Sequence, residues 1–275
     1  MALRKQFEDW HMPARAIILT GFGINCDNET QRALERAGAE ARRVHLNDIA
    51  ADPAMLDGYH ILAIPGGFSF GDHVASGKIL ANRLRGKLGG PILKFVADRK
   101  LVIGICNGFQ VMVKMGILPL FEGEFKQEVT LAWNDTCRFE NRWIKLRKAP
   151  DTKCVWLKGM DTLEVPVRHG EGKFIVKDDA VMERLRANGQ IALRYVKPDN
   201  SPANGEFPFN PNGAADDIAG ICDPSGRIFG LMPHPEAFQD PTNHPNWTRM
   251  ENMPAEGMGL QVFRNAVAYV QEELL

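Results

Sequence analysis

The segment Leu101-Val-Ile-Gly-Ile-Cys106-Asn-Gly-Phe-Gln110 is an apolar run that ends on a cysteine, with a glycine two residues to either side. A run of this kind reads as a buried strand, and the residues after it as the opening of a helix. Gly104 and Gly108 let strand and helix approach closely. This is the pattern of a nucleophile elbow, a sharp turn that projects its central side chain at the edge of a sheet. A helix N-terminus carries about half a positive charge, which favours a thiolate at Cys106. The N–H of Asn107 is left to bind an oxyanion. A packed core cysteine is the competing reading, since free cysteine is among the most buried residues.

A second motif, Gly230-Leu-Met-Pro-His234-Pro-Glu236, separates the two. Prolines 233 and 235 hold Met232 and His234 in extended conformations. Side chains two apart on an extended segment point the same way, roughly 6.5 Å from each other. Glu236 can then orient His234 and stabilise its imidazolium. A cysteine, a histidine and an orienting carboxylate make a triad in the chain order Cys, His, Glu. Alone, the proline-flanked histidine reads equally as a surface turn. A third element, Ile64-Pro-Gly66-Gly67-Phe-Ser-Phe-Gly71-Asp72, follows an apolar run. Consecutive glycines there can turn backbone N–H groups toward a substrate carbonyl and complete an oxyanion hole with Asn107. The segment matches neither the G-x-G-x-x-G fingerprint nor a Walker A loop, and a plain loop is its alternative.

Around these motifs the first half of the chain alternates short apolar runs with helical patterns. Strands are expected at Ala16–Thr20, Arg42–Leu46, Tyr59–Pro65 and Leu101–Cys106. A helix is expected from about Asp27, capped by Asn25 or Asp27 and ended at Gly38, and others over Ala75–Leu88 and Ile92–Asp98. This alternation predicts an α/β fold, an open, mostly parallel sheet flanked by helices, with sites at the carboxyl ends of its strands. Beyond about residue 120 the runs Val129–Trp133, Trp143–Leu146, Val155–Leu157, Lys173–Val176 and Ile191–Tyr195 predict an antiparallel β excursion joined to the main sheet. Asp223-Pro-Ser-Gly226 between two apolar runs reads as a hairpin turn. Residues 197–217, rich in Pro, Asn and Gly, read as a surface loop. Leu260, Phe263, Val267 and Val270 share one face of a closing helix. The chain reads as a single domain with an N-terminal extension at 1–13.

Composition removes other classes. With 33 Lys+Arg against 34 Asp+Glu and no long single-sign block, no nucleic-acid or membrane-surface footprint is expected. No stretch approaches the ~18 apolar residues of a membrane span or the core of a signal peptide, so a cytoplasmic protein is expected. Five cysteines without a C-x-x-C pair indicate neither a disulfide framework nor a structural metal site.

The elbow, the H-x-E pair and the glycine loop, in this order, resemble the class I (triad) glutamine amidotransferases. The resemblance runs over most of the chain. Ile24-Asn-Cys26-Asp, GGFSFGD, GICNGFQ, Arg168-His-Gly-Glu-Gly172 and PHPE are similar to the glutaminase-subunit family of phosphoribosylformylglycinamidine synthases. The resemblance implies a flavodoxin-like glutaminase fold and hydrolysis of glutamine to glutamate and ammonia. Cys106 would be the nucleophile, His234 the proton shuttle and Glu236 its orienting partner. Gly67 and Asn107 would supply the oxyanion N–H groups. Gln110, His169 and Gly170 would shape the glutamine site. Cys26 matches a family position without an arguable catalytic role, and a packed or loop thiol is its expected part. No cofactor or metal is implied for this chain; ATP and Mg²⁺ belong to a large synthase subunit that converts formylglycinamide ribonucleotide, with a small third subunit as a further partner. The alternatives are the glutaminase subunit of another amidotransferase, a stand-alone γ-glutamyl cysteine hydrolase, and a catalytically silent binding subunit.

Overall fold

The computed structural model describes residues 12–122, 125–250 and 252–275, so most of the expected extension at 1–13 lies outside the described residues. In chain order the elements are β1 (Arg15–Thr20), α1 (Asp27–Arg36), β2 (Glu40–His45), α2 (Leu46–Ala51), β3 (Ile61–Ile64), α3 (Lys78–Ala97), β4 (Leu101–Ile105) and α4 (Asn107–Met115). There follow β5 (Val129–Ala132), β6 (Glu140–Lys148), β7 (Thr162–His169), β8 (Lys173–Val176), α5 (Asp179–Ala187), β9 (Ile191–Val196), β10 (Ile218–Cys222), β11 (Ile228–Leu231) and α6 (Leu260–Glu273).

Nine strands form one sheet in the order β2-β1-β3-β4-β11-β10-β9-β6-β7. From β2 to β11 neighbouring strands are parallel, and from β11 to β7 they are antiparallel. The expected antiparallel excursion is therefore a direct extension of the parallel sheet. Among the described residues only β5 and β8 stand apart, as a two-stranded ribbon. The chemistry of the strands follows their position. Every residue of β3, β4, β10 and β11 is buried, as continuous apolar runs covered on both faces require. Charged residues collect on the edge strand β2, and Pro166 sits on the opposite edge strand β7, where its missing N–H removes no ladder bond. Helices α3 and α4 pack together, as do α1 and α6. Leu260, Phe263, Val267 and Val270 of α6 are buried on one face as expected.

Four readings of the sequence are corrected. The two helices expected on either side of Gly89-Gly90-Pro91 are one helix, α3, with Pro91 inside it. Leu80, Leu84, Leu88, Ile92 and Phe95 make a continuous buried stripe along it, and that burial outweighs the ~3 kcal/mol an interior proline costs. Val155–Leu157 is a 3-10 turn rather than a strand, anchored by fully buried Trp156, whose Nε1–H donates to Arg227 O at 2.9 Å. Residues 197–217 are not simply a surface loop. Ala203, Asn210, Asn212 and Ala214 are buried, and the Asp217 carboxylate accepts from the N–H groups of Asn204 and Gly205 and from Asn210 Nδ2. Cys26, not Asn25 or Asp27, holds the N-cap position of α1, without a side-chain cap bond. Among the described residues no helix is long and apolar enough to cross a membrane.

Candidate active site

Strands β4 and β11 lie side by side and parallel, with Ile105 opposite Leu231. Their carboxyl ends deliver the two motifs to one place. After Ile105 the chain turns at Cys106 with φ 51° and ψ −106°, and α4 begins at the next residue. A side chain with positive φ is a strained conformation that surrounding structure must impose. Here the Cys106 N–H donates to Leu231 O at 2.8 Å, and its carbonyl accepts from the Gln110 N–H at 3.0 Å. The flanking glycines are required by contact, as expected. A Cβ on Gly104 would lie 2.8 Å from the Gly108 carbonyl, and one on Gly108 would lie 2.7 Å from the Ile64 carbonyl carbon.

His234 reaches Cys106 from β11. Its N–H donates to Pro166 O at 2.9 Å, tying the segment to β7. The expected extended run past His234 is not formed. Pro235–Ala237 is a 3-10 turn, and the turn brings the carboxylate back onto the ring. Glu236 Oε1 lies 2.6 Å from His234 Nδ1, with His234 2% and Glu236 2% exposed. Pairing of side chains two apart thus survives, by a different backbone route. Burial alone would lower the basicity of His234. The Glu236 carboxylate and the Cys106 and Cys26 thiols more than offset this and raise its pKa well above the ordinary value. The ring is therefore held as an imidazolium. With Nδ1 committed to Glu236, Nε2 is buried without a partner and remains available to the thiol side of the ring.

The glycine loop meets this pair at Gly66. A Cβ there would sit 2.9 Å from His234 Cε1, 3.2 Å from Cys26 Sγ and 3.5 Å from Cys106 Cβ. Gly67 has φ 146°, and a Cβ on it would lie 2.6 Å from Gly23 O. The loop is braced by residues 23–26: Gly66 O accepts from the N–H groups of Asn25 and Cys26, and the Phe68 N–H donates to Gly23 O. It is also tied to the elbow, because the Ser69 N–H donates to Asn107 Oδ1 at 3.2 Å.

Gln110, His169 and Gly170 are brought to the same region; the Gln110 amide is engaged within the fold, while His169 Nε2 is buried without a partner. Gln110 Oε1 accepts from Asn107 Nδ2 at 2.9 Å, and its Nε2 donates to Glu171 O at 2.6 Å. His169 is buried, and burial together with the charge on His234 pushes its pKa down to about 3, so it is neutral. Two groups that hold this loop were not singled out from the sequence. Asn134, 1% exposed, bonds His169 Nδ1, His169 O and the N–H of Gly172, and its own N–H donates to Gly170 O. Glu171 accepts from the Ser76 N–H and lies 3.5 Å from buried Lys114, which also donates to Ser76 O. Tyr195 is fully buried, bonded to Asn212 Nδ2 at 3.0 Å, and its pKa is raised by burial and by the nearby Cys106. A lone Asn, Lys or Tyr offers no local pattern from which such a position could be read. A cavity of about 960 Å³ lined by Arg147, Lys148, Arg194 and Asp216 holds none of the triad, so chemistry rather than volume marks the site.

A buried thiol at a strained elbow, an imidazolium fixed by a carboxylate, and glycines that open the space between them can perform acyl transfer through a thioester. Comparison with known proteins agrees. Residues 13–270 match the family of CobB/CobQ-like glutamine amidotransferase domains. The chain is 44% identical over 260 residues to the phosphoribosylformylglycinamidine synthase subunit PurQ of Dehalococcoides mccartyi, covering 94% of this chain and 98% of that one. It is 40% identical over 265 residues to PurQ of Methanococcus maripaludis, covering 93% and 97%. A chain in the structure of PurLQS from Thermotoga maritima superposes with a TM-score of 0.67 at 30% identity, covering 94% of this chain and all of that one. Elbow, triad geometry, sheet order and full-length similarity converge: the chain belongs to the CobB/CobQ-like glutamine amidotransferases and, among them, to the PurQ subunits of phosphoribosylformylglycinamidine synthase.

Proposed function

We propose that Cys106 is the nucleophile with which this chain, as the glutaminase subunit of phosphoribosylformylglycinamidine synthase, releases ammonia from glutamine. The observation that carries this reading is the 2.6 Å Glu236–His234 bond, which leaves the other ring nitrogen of a buried imidazolium to serve Cys106. The Cys106 thiolate adds to the side-chain amide carbon of glutamine, and the N–H groups of Gly67 and Asn107 bind the oxyanion. His234 gives its Nε2 proton to the departing nitrogen, the C–N bond breaks, and ammonia leaves a γ-glutamyl thioester. The neutral imidazole then takes a proton from water as that water adds to the thioester. The adduct collapses, the product carboxyl loses its proton to solvent, glutamate departs, and the thiolate and imidazolium return. Glu236 keeps the tautomer and holds the charge throughout. Gln110, His169 and Gly170 hold the loop that borders the glutamine site.

The ammonia serves a large partner subunit that converts formylglycinamide ribonucleotide to formylglycinamidine ribonucleotide. ATP and Mg²⁺ act on that polypeptide, and a small third subunit completes the assembly. Cys106 is only 5% exposed, so glutamine reaches it when the covering loops part, and docking of the synthase is the event that parts them. The test is the variant Cys106→Ala in the reconstituted complex. It should lose glutamine-dependent synthesis and keep synthesis from added ammonia. Equal loss of both would overturn the division of labour.

A further inference from the structure

The second thiol at the site has no part in the reaction. Cys26 belongs to the loop that braces the glycine loop; its Sγ donates to Asn25 Oδ1 at 3.3 Å and lies within 4.8 Å of a His234 ring nitrogen. The Gly66 contacts place Cys26 Sγ, Cys106 Cβ and His234 Cε1 around one point. Three side chains with soft or borderline donors thus share one small space.

We propose that Cys26, Cys106 and His234 form an inhibitory site for a soft divalent cation such as Zn²⁺, with Cys26 Sγ, Cys106 Sγ and His234 Nε2 as its three protein ligands. The donor set is a Cys₂His set, typical for zinc, with a fourth position for water. Two donors on one tetrahedral zinc lie roughly 3.5 Å apart. Cys26 Sγ already lies within 4.8 Å of the ring, and Cys106 Sγ, which rests 3.6 Å from Arg168 O, joins it by turning about its own Cα–Cβ bond. The geometry around the ring supports the assignment independently of the thiols. His234 is 2% exposed and its Nε2 has no partner, while Nδ1 is bonded to the Glu236 carboxylate at 2.6 Å. A carboxylate on the far nitrogen fixes the tautomer that leaves Nε2 as the ligand, the arrangement usual for metal-bound histidine. Cys26 is half-buried whereas Cys106 is buried, so it is the ligand an entering ion meets first. Binding displaces a proton from each thiol and from the imidazolium and occupies the nucleophile and the proton shuttle together.

The inhibition rests on the roles of Cys106 and His234 proposed above; the binding does not. Two measurements therefore separate them. In the first, glutaminase turnover of the complex is titrated with Zn²⁺ alone. Wild-type turnover should fall and return on chelation. Measured against its own metal-free turnover, Cys26→Ala should need at least ~10–100-fold more Zn²⁺ for the same fractional loss, since even an outer partner of a zinc ligand contributes that much. In the second, Co²⁺ replaces Zn²⁺ and the thiolate-to-metal charge-transfer band is recorded on the full chain. The band should halve in Cys26→Ala and in Cys106→Ala, and vanish in the double variant. Cys26→Ser, which keeps the side chain's size, serves should the alanine variant misfold. Equal Zn²⁺ sensitivity of wild type and both Cys26 variants, or a cobalt band indifferent to Cys26, would overturn the site. A cobalt band that behaves as stated with no loss of turnover would keep the site and refute the catalytic roles.

Discussion

Replacing Gly108 by alanine adds one methyl group where helix α4 crosses strand β3. The added carbon would overlap the Ile64 carbonyl oxygen and sit 2.7 Å from its carbon and 3.2 Å from Pro65 O. Non-bonded heavy atoms are comfortable at about 3.5 Å, and the oxygen is the worse overlap, so strand and helix must separate by more than ~1 Å. The neighbours are backbone, held by the parallel ladder between β3 and β4, and cannot rotate away. Overpacking of this kind costs about 1–3 kcal/mol, a fall of roughly 2–12 °C in melting temperature for a domain of this size. The kinetic cost is larger. Gly108 is two residues from Cys106, and a displacement near 1 Å at a reacting group costs about 100-fold in rate. Gly86→Ala is the matched control, because nothing lies within 4 Å of a Cβ built on that helical glycine. It should stabilise by ~0.4–1 kcal/mol through the unfolded state and leave turnover alone. Denaturant midpoints and glutamine-dependent turnover of the complex are measured for both variants. A Gly108→Ala protein with the wild-type midpoint and turnover would show that the elbow does not depend on this contact.

Three further outcomes follow from the site. Asn134→Ala removes three hydrogen bonds from the 169–172 loop and should raise KM for glutamine while costing ~1–3 kcal/mol in stability; an unchanged KM would separate that loop from the glutamine site. The two buried histidines should bend stability with pH in opposite directions. His169 is neutral in the fold down to about pH 3 and near 6.5 when unfolded, so stability falls as pH drops from 6.5 toward 3; His234 is raised above 6.5, so its contribution is full below 6.5 and lost as pH climbs through its folded value. His169→Gln should flatten the acid limb of unfolding free energy against pH, and Glu236→Gln the alkaline limb, with unaltered limbs counting against the assignment. Finally, steady-state glutaminase turnover should rise by ~10²–10³-fold, the worth of an oxyanion donor, when synthase, nucleotide and formylglycinamide ribonucleotide are added; equal turnover alone and in complex favours a stand-alone hydrolase.

What could be read without coordinates was what local chemistry dictates. The elbow was legible because an apolar run ending on a cysteine with a glycine two residues to either side marks a tight strand-to-helix turn, even though the contact that demands Gly108 comes from Ile64 on β3. The pairing of His234 with Glu236 was legible in outcome but not in route, since proline spacing limits φ without specifying that Pro235 opens a 3-10 turn. Other features depend on partners far along the chain. Helix α5 is capped by Asp178, whose side chain accepts from the Val181 N–H, a local motif that stands among β-rich neighbours. Strand β7 was hidden by Pro166, acceptable only because that strand is an edge, and edge position is a property of the whole sheet. Cys26 resembled any loop thiol until the fold set it against His234.

The position of β11 between β4 and β10 has a consequence for the chain as it is made. Until residues 228–231 are inserted, β4 has no neighbour on that side. Its carbonyls and N–H groups, flanked by Val102, Ile103 and Ile105, form a bare apolar edge of the kind that recruits other chains. Synthesis must therefore pass residue 231 before this seam can close. Premature termination between Cys106 and β11 would yield a product that carries its thiol and lacks its imidazole, and whose open seam directs it to aggregation rather than to residual activity.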